Sequence, residues 1–187
     1  MPFVVLQPIH TERLVLREPT VADAADVLLF RGDAEVQRYN DEPLRTVEES
    51  EAFIEHLLAE TADLRRHWAL ELHSRVIGLM GLHSWQRWHR RAELGYDIAR
   101  EHWGNGYAAE AAHSILRYGF TTMRLHRIQA HTIADNHRSV RLLTSLGFTR
   151  EGTMRDFSLE LDGHYHDSAV FGLLRPQWSA TLIQRGP

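Results

Sequence analysis

His102-Trp103-Gly104-Asn105-Gly106-Tyr107-Ala108-Ala109-Glu110-Ala111 places two glycines directly ahead of a run with helical periodicity. From Ala108, small or apolar residues recur at Ala111, Ala112, Ile115, Leu116 and Gly119, the spacing of one buried helix face. Glu110, His113, Ser114 and Arg117 fall on the other face. The first amides of a helix have no partner within it and together carry about half a positive charge, so they hold an anion readily. Gly104 and Gly106 permit backbone angles that side chains resist and let a phosphate reach the main chain. The stretch reads as a phosphate cradle opening a helix, or as a tight turn before one.

Upstream, Ala92, Leu94, Tyr96 and Ile98 alternate with Glu93, Gly95 and Asp97, which predicts a strand feeding the glycine loop, with a bulge at Gly95. Two earlier strands, Trp68 to Leu72 and Val76 to Leu82, flank the polar turn His73-Ser74-Arg75. The N-terminal third reads strand, helix, helix. Leu14 and Leu16 alternate with charged or branched neighbours, and Thr20 with Asp23 and Thr46 with Glu49 form two capping-box patterns. Downstream come a fifth strand at Arg127 to Thr132 and a short helix from Asn136 that stops at Gly147. A hairpin turning at Asp162-Gly163 follows, with a last strand from Asp167 to Leu174. No repeat or linker divides the chain, so residues 1–187 read as a single domain with its core from about residue 9 to about 175. The order of elements predicts an α/β or α+β fold, one mainly antiparallel sheet with helices on its faces.

The 187 residues suffice for one substantial core, and 43% hydrophobic with 25% charged residues is ordinary for a globular protein. A formal charge of −4 argues against broad nucleic-acid binding. No apolar run approaches a membrane span and the N-terminus lacks the pattern of an export signal, so the expectation is a cytoplasmic protein without a membrane partner. There is no cysteine and no lysine, which removes disulfides, thiolate metal sites, cysteine acyl-enzymes and lysine nucleophiles together. Any acyl transfer must be direct or use a hydroxyl.

Three motifs in order, Thr11-x-Arg13-Leu14-x-Leu16-Arg17, the glycine loop, and Asn136-His137-Arg138-Ser139-Val140-Arg141-Leu142-Leu143 ending in Leu146-Gly147-Phe148, resemble the GNAT superfamily of acetyl-CoA-dependent N-acetyltransferases. Within it the chain looks most like the Rim-type acetyltransferases of ribosomal-protein N-termini, from about Thr11 to Leu174 and including Gly163-x-x-x-Asp167. The resemblance implies a mixed, mainly antiparallel sheet of about seven strands and about four helices, splayed between the fourth and fifth strands. It implies acetyl-CoA as co-substrate and no metal. The acceptor would be a peptide or protein N-terminus or a small amine, and a homodimer is common in the subgroup. A GNAT-shaped regulatory domain that binds acetyl-CoA without transfer is the reading from another class.

By the same resemblance, the pyrophosphate loop falls on Trp103-x-x-Gly106-x-Ala108, so Trp103, Gly104, Asn105, Gly106, Tyr107 and Ala108 would hold the cofactor phosphates, with Trp103 departing from the usual first residue. Tyr96, Asp97 and Ile98 would pair with the pantetheine arm. The tyrosine that protonates the departing thiolate in many members is Leu143 here, whereas the subgroup's serine is present as Ser139. Ser139 is therefore the candidate acid or hydrogen-bond donor, Asn136 a contact to the cofactor arm, and Arg138 and Arg141 partners for phosphates. Asn136 and Ser139 equally suit helix capping, and the two arginines a solvated helix face. An alkylammonium or α-ammonium group must lose a proton before attack, which makes Glu93 the first candidate base and Glu160 the second, each equally readable as a solvated strand carboxylate.

Other patterns weigh less. Gly104-x-Gly106-x-x-Ala109 fits a dinucleotide fingerprint, but the acid required about twenty positions on is missing, the next after Thr122 to His126 being Asp135. Trp85 to Arg91 interleaves aromatics with arginines, as a nucleic-acid, substrate or dimer contact would. His164-x-His166 lacks further ligands at metal spacing.

Overall fold

The computed structural model describes residues 7–60 and 66–179. Its strands are β1 (Ile9–His10), β2 (Val15–Arg17), β3 (Arg66–Leu72), β4 (Arg75–Gln86), β5 (Arg91–Ile98), β6 (Arg127–Ile133), β7 (Thr149–Leu159) and β8 (Tyr165–Leu174). The helices are α1 (Ala24–Arg31), α2 (Ala34–Gln37), α3 (Val47–Glu60), α4 (Tyr107–Thr121) and α5 (His137–Ser145). One eight-stranded sheet runs in the order β1-β2-β3-β4-β5-β6-β8-β7, with β5 and β6 parallel and the other neighbours antiparallel. Among the described residues, the two-residue β1 and the four-residue α2 were not expected, both being too short to leave a periodic signal.

The local rules hold where they were strongest. The β3–β4 turn places His73 and Ser74 at φ 49° and 64°, the paired left-handed conformation of a tight hairpin. Asp23 completes the capping box with Thr20 and also takes both terminal nitrogens of Arg17 at 2.8 and 2.7 Å. Although burial opposes it, the Arg17 guanidinium and the Thr20 amide hold the Asp23 carboxyl below its ordinary value.

Alternation sorts the sheet into two apolar faces. On one, α4 lays Ala111, Ala112, Ile115, Leu116 and Phe120 against Trp68, Leu82, Ala92 and Leu94, and Leu143 and Leu146 of α5 join them. Each such leucine or isoleucine side chain contributes about 1.5–3 kcal/mol on burial. On the other, Val27 and Phe30 of α1 and Ile54 of α3 cover Ala69 and Leu79.

Gly95 does not mark a bulge. It pairs in register with Gly81, and the irregularity lies in β4 between His83 and Gln86, where Ser84 has φ 50°. A Cβ on Gly95 would come within 2.8 Å of His83 Nε2, so the missing side chain makes room for an imidazole on the sheet.

Candidate active site

The parallel pair at the sheet's centre is joined only at its start. Arg91, Ala92 and Glu93 align with Arg127, Ile128 and Gln129, after which β5 continues to Ile98 beside β4 and β6 continues to Ile133 beside β8. From Leu94 onward the facing edges therefore diverge, leaving main-chain groups that can pair with an extended, amide-bearing ligand. A cleft of about 710 Å³ fills the splay, within the range of small-molecule sites.

Most residues singled out from the sequence converge on it. Tyr96, Asp97 and Ile98 line it from β5, Trp103, Gly104, Gly106, Tyr107 and Ala108 from the loop and α4, and Asn136, Ser139 and Arg141 from α5. Gly106, at φ 81°, is the N-cap of α4, and its carbonyl accepts from the Glu110 amide at 3.0 Å. Gly104, at φ 77°, has nothing within 4 Å of where a Cβ would sit. The amides of Tyr107, Ala108 and Ala109 begin a fifteen-residue helix and face the cradle the two glycines leave, so the chemistry fits a pyrophosphate.

The cradle is braced by residues from far away in the chain. Glu110 accepts from the Thr11 hydroxyl at 2.6 Å, the Arg13 amide at 2.7 Å and Arg13 Nε at 2.7 Å, and these donors hold its carboxyl below the ordinary value despite partial burial. Arg13 Nη1 donates to the Asn105 carbonyl at 2.9 Å, and its guanidinium lies 4.4 Å over the Tyr107 ring. The Thr11-x-Arg13 motif thus props the loop from outside, and Asn105 is part of that prop rather than of the cleft wall. Trp103 donates from Nε1 to the Ile98 carbonyl at 2.8 Å and stacks under Arg138 at 4.1 Å, which ties the end of β5 to the loop and to α5.

Asn136 caps α5, accepting from the Ser139 amide at 3.2 Å. Ser139 Oγ lies 2.7 Å from the Tyr96 hydroxyl, across the splay. Burial pushes the Tyr96 phenol up to about 12, the serine bond opposing it. Leu143 is fully buried in the core.

The two candidate bases sit apart from the cleft wall. Glu93 occupies the last paired position of β5, beside His83 in register, and accepts from Gln129 Nε2 at 3.4 Å. Glu160 lies in the β7–β8 connection, where it accepts from the Ser158 hydroxyl at 2.6 Å. Asp97 is the surprise: its carboxylate accepts from Arg31 Nη1 at 2.5 Å and Asn40 Nδ2 at 2.7 Å. Its side chain faces the N-terminal helices, leaving only the main chain at that position for an arm laid along β5. Burial pushes this carboxyl up, with Arg31 holding it back.

The Trp85 to Arg91 stretch spans the end of β4, the turn at residues 87–90 and the first residue of β5. Trp85 packs on the core with Arg87 4.8 Å over its ring, whereas Trp88 is 92% exposed. His166 pairs with Asp162 at 2.8 Å, and among the described residues no cluster suits a metal ion.

The sequence model described as Acetyltransferase (GNAT) domain matches residues 13–149. The chain belongs to the GNAT acetyltransferase family. This GNAT enzyme is 35% identical over 173 residues to the uncharacterized N-acetyltransferase YoaA of Bacillus subtilis (strain 168), covering 90% of this chain and 97% of that one. Over 86 residues, 46% of this chain and 44% of the other, it is 38% identical to the [ribosomal protein uS5]-alanine N-acetyltransferase of Escherichia coli (strain K12). Its fold superposes with a TM-score of 0.79 on the spermidine N-acetyltransferase from Vibrio cholerae in complex with CoA and spermine. The two are 27% identical, covering 89% of this chain and 98% of that one. The protein is thus an acetyl-CoA-dependent N-acetyltransferase of the GNAT type. The tyrosine–serine bond, the Arg13 prop and the Arg31–Asp97 pair were not foreseen, since each joins residues remote in sequence.

Proposed function

We propose that the enzyme acetylates the α-amine of a polypeptide N-terminus, of which a ribosomal protein is one instance, by direct attack within a ternary complex. The observation that carries this reading is the charge of the cleft. Its two carboxylates, Glu35 and Asp97, already face arginines, Arg138 at 3.5 Å and Arg31 at 2.5 Å, and Arg141 adds a further cation to the wall. A polyamine carries several positive charges and would find little unspent negative charge there. A peptide N-terminus brings one charge and a main chain that can pair with the open edges of β5 and β6.

Acetyl-CoA supplies the acetyl group as a thioester. In this reading the cradle from Trp103 to Ala108 and Arg141 hold the phosphates, and the edges of the splay align the arm. Glu93 receives the proton of the attacking ammonium group, directly or through one water, and Glu160 ranks behind it because it sits in the hairpin connection. Ser139 stands where the sulfur leaves. The reading places the enzyme in the cytoplasm. It also includes a homodimer, supported by edge strand β7, whose hairpin exposes Phe157, Leu159, Leu161 and Tyr165.

The test is a turnover panel with acetyl-CoA, peptides of varied N-terminal residue, and spermidine, read by CoA release. A kcat/KM at least tenfold higher for the best peptide than for spermidine is expected. A preference for spermidine would overturn the acceptor assignment, and binding of acetyl-CoA without turnover on any amine would overturn catalysis.

A further inference from the structure

A serine hydroxyl is a much weaker acid than a thiol, so Ser139 cannot profitably give up its proton to a departing thiolate. What it can do is donate a hydrogen bond, and a hydroxyl rotor free to turn toward nearby main-chain carbonyls does this poorly. The structure removes that freedom from the opposite wall. Tyr96, on β5, reaches over the splay to within 2.7 Å of Ser139 Oγ, and both side chains line the cleft. Each hydroxyl has one hydrogen, so the bond between them consumes one and leaves one. The Tyr96 phenol is desolvated and pushed up to about 12, so it keeps its proton through the working range and remains a donor. Ser139 is the third residue of α5, held there by the Asn136 cap, so its oxygen also sits at the positive end of a nine-residue helix.

Resting on the acetyl-transfer reading above, we propose that Tyr96 is a positioning residue: its phenol donates to Ser139 Oγ and turns the serine's own hydrogen toward the sulfur of the acyl donor. The step served forms the amide C–N bond and breaks the C–S bond. The electron pair leaves on sulfur, where Ser139 Oγ–H and the start of α5 stabilise it; of the two protons the ammonium group gives up, Glu93 takes one before attack and the other passes to solvent water as the C–N bond forms. Sulfur thus leaves as a hydrogen-bonded thiolate, and neither hydroxyl is ionised. This account replaces the proton-donating tyrosine, whose position is the buried Leu143, with two hydroxyls joined across the cleft.

The experiment reads the thiol of bound CoA and needs no acceptor. The ultraviolet absorbance of the thiolate is titrated against pH in the binary complex of wild type, Tyr96→Phe, Ser139→Ala and the double variant. In the wild type the bound thiol should ionise at a lower pH than the thiol of free CoA titrated alongside. Each single variant should raise that midpoint, and the double variant should raise it no further than Ser139→Ala does. The dissociation constant for CoA should be unchanged in Tyr96→Phe. With an active acceptor, Tyr96→Phe should lower kcat about tenfold, the worth of one hydrogen bond, without changing the KM for acetyl-CoA. A Tyr96→Phe complex that titrates like the wild type overturns the proposal. So does a loss of CoA affinity, which would make the phenol a cofactor contact. A panel without turnover bears on the acceptor reading alone, because the thiol titration proceeds regardless.

Discussion

Arg31→Met should remove about 3–5 kcal/mol of folding stability, because it leaves a buried carboxylate without its cation. Arg31 is 7% exposed, and its guanidinium bridges Asp97 on β5 to Asp41 in the segment after α2, at 2.5 and 2.8 Å, while lying 4.4 Å from the Phe53 ring of α3. One side chain thus fastens α1, α3 and the segment between α2 and α3 to the strand that forms the cleft wall. The orphaned Asp97 also gives the loss a pH signature. Burial already holds its carboxyl above the ordinary value, and losing Arg31 raises it further. Protonation then favours the folded form, so the variant should recover stability on acidification and lose it as pH rises through the shifted value. Adding Asp97→Asn to the variant should restore part of the loss at neutral pH. Urea unfolding at several pH values measures all three effects, and a loss below about 1 kcal/mol, the worth of an exposed pair, would show that the bridge does not fasten the wall.

The second large effect falls on ligand binding. Gly106→Val should weaken CoA binding by at least tenfold while leaving the core intact. At φ 81° the N-cap of α4 lies in the left-handed region, where a β-branched residue costs about 1–2 kcal/mol or more. The new Cβ would also stand 3.4 Å from Nη2 of Arg13, the residue whose Nη1 bonds the Asn105 carbonyl. Relief of either contact re-aims the first amides of α4 and loosens the prop. Gly152→Ala is the control, since nothing lies within 4 Å of its added Cβ and its φ is not positive. Calorimetric titration with CoA distinguishes the two variants. Equal affinities would mean that the phosphates are not held at the glycine loop.

How far the sequence could carry these statements differs from residue to residue. The glycine loop was readable because its signal is local: positive φ at Gly104 and Gly106 and the helix after them lie within one short stretch. The alternating strands were readable for the same reason. Gly95 was misread because a glycine within a strand signals either a bulge or a close approach, and only the neighbouring strand reveals that His83 lies over it. The working contacts of the cleft were beyond reach. Tyr96 and Ser139 are 43 positions apart, Arg31 and Asp97 are 66 apart, and Arg13 and Asn105 are 92 apart. Each contact joins elements that only the folded chain brings together, and the Tyr96–Ser139 bond spans the splay that opens where β5 and β6 diverge after Glu93. Asp97 shows the cost: its place on β5 suggested a ligand contact, yet its carboxylate serves the fold.

The proposed reaction is transfer of acetyl from acetyl-CoA to an N-terminal α-amine. Its most direct test is incubation with acetyl-CoA and a peptide that carries a free N-terminus and one internal lysine, followed by fragment mass spectrometry to locate the added acetyl group. The account predicts modification of the α-amine with the lysine untouched. Acetyl found on the lysine side chain, or on neither amine while acetyl-CoA remains bound, would contradict it.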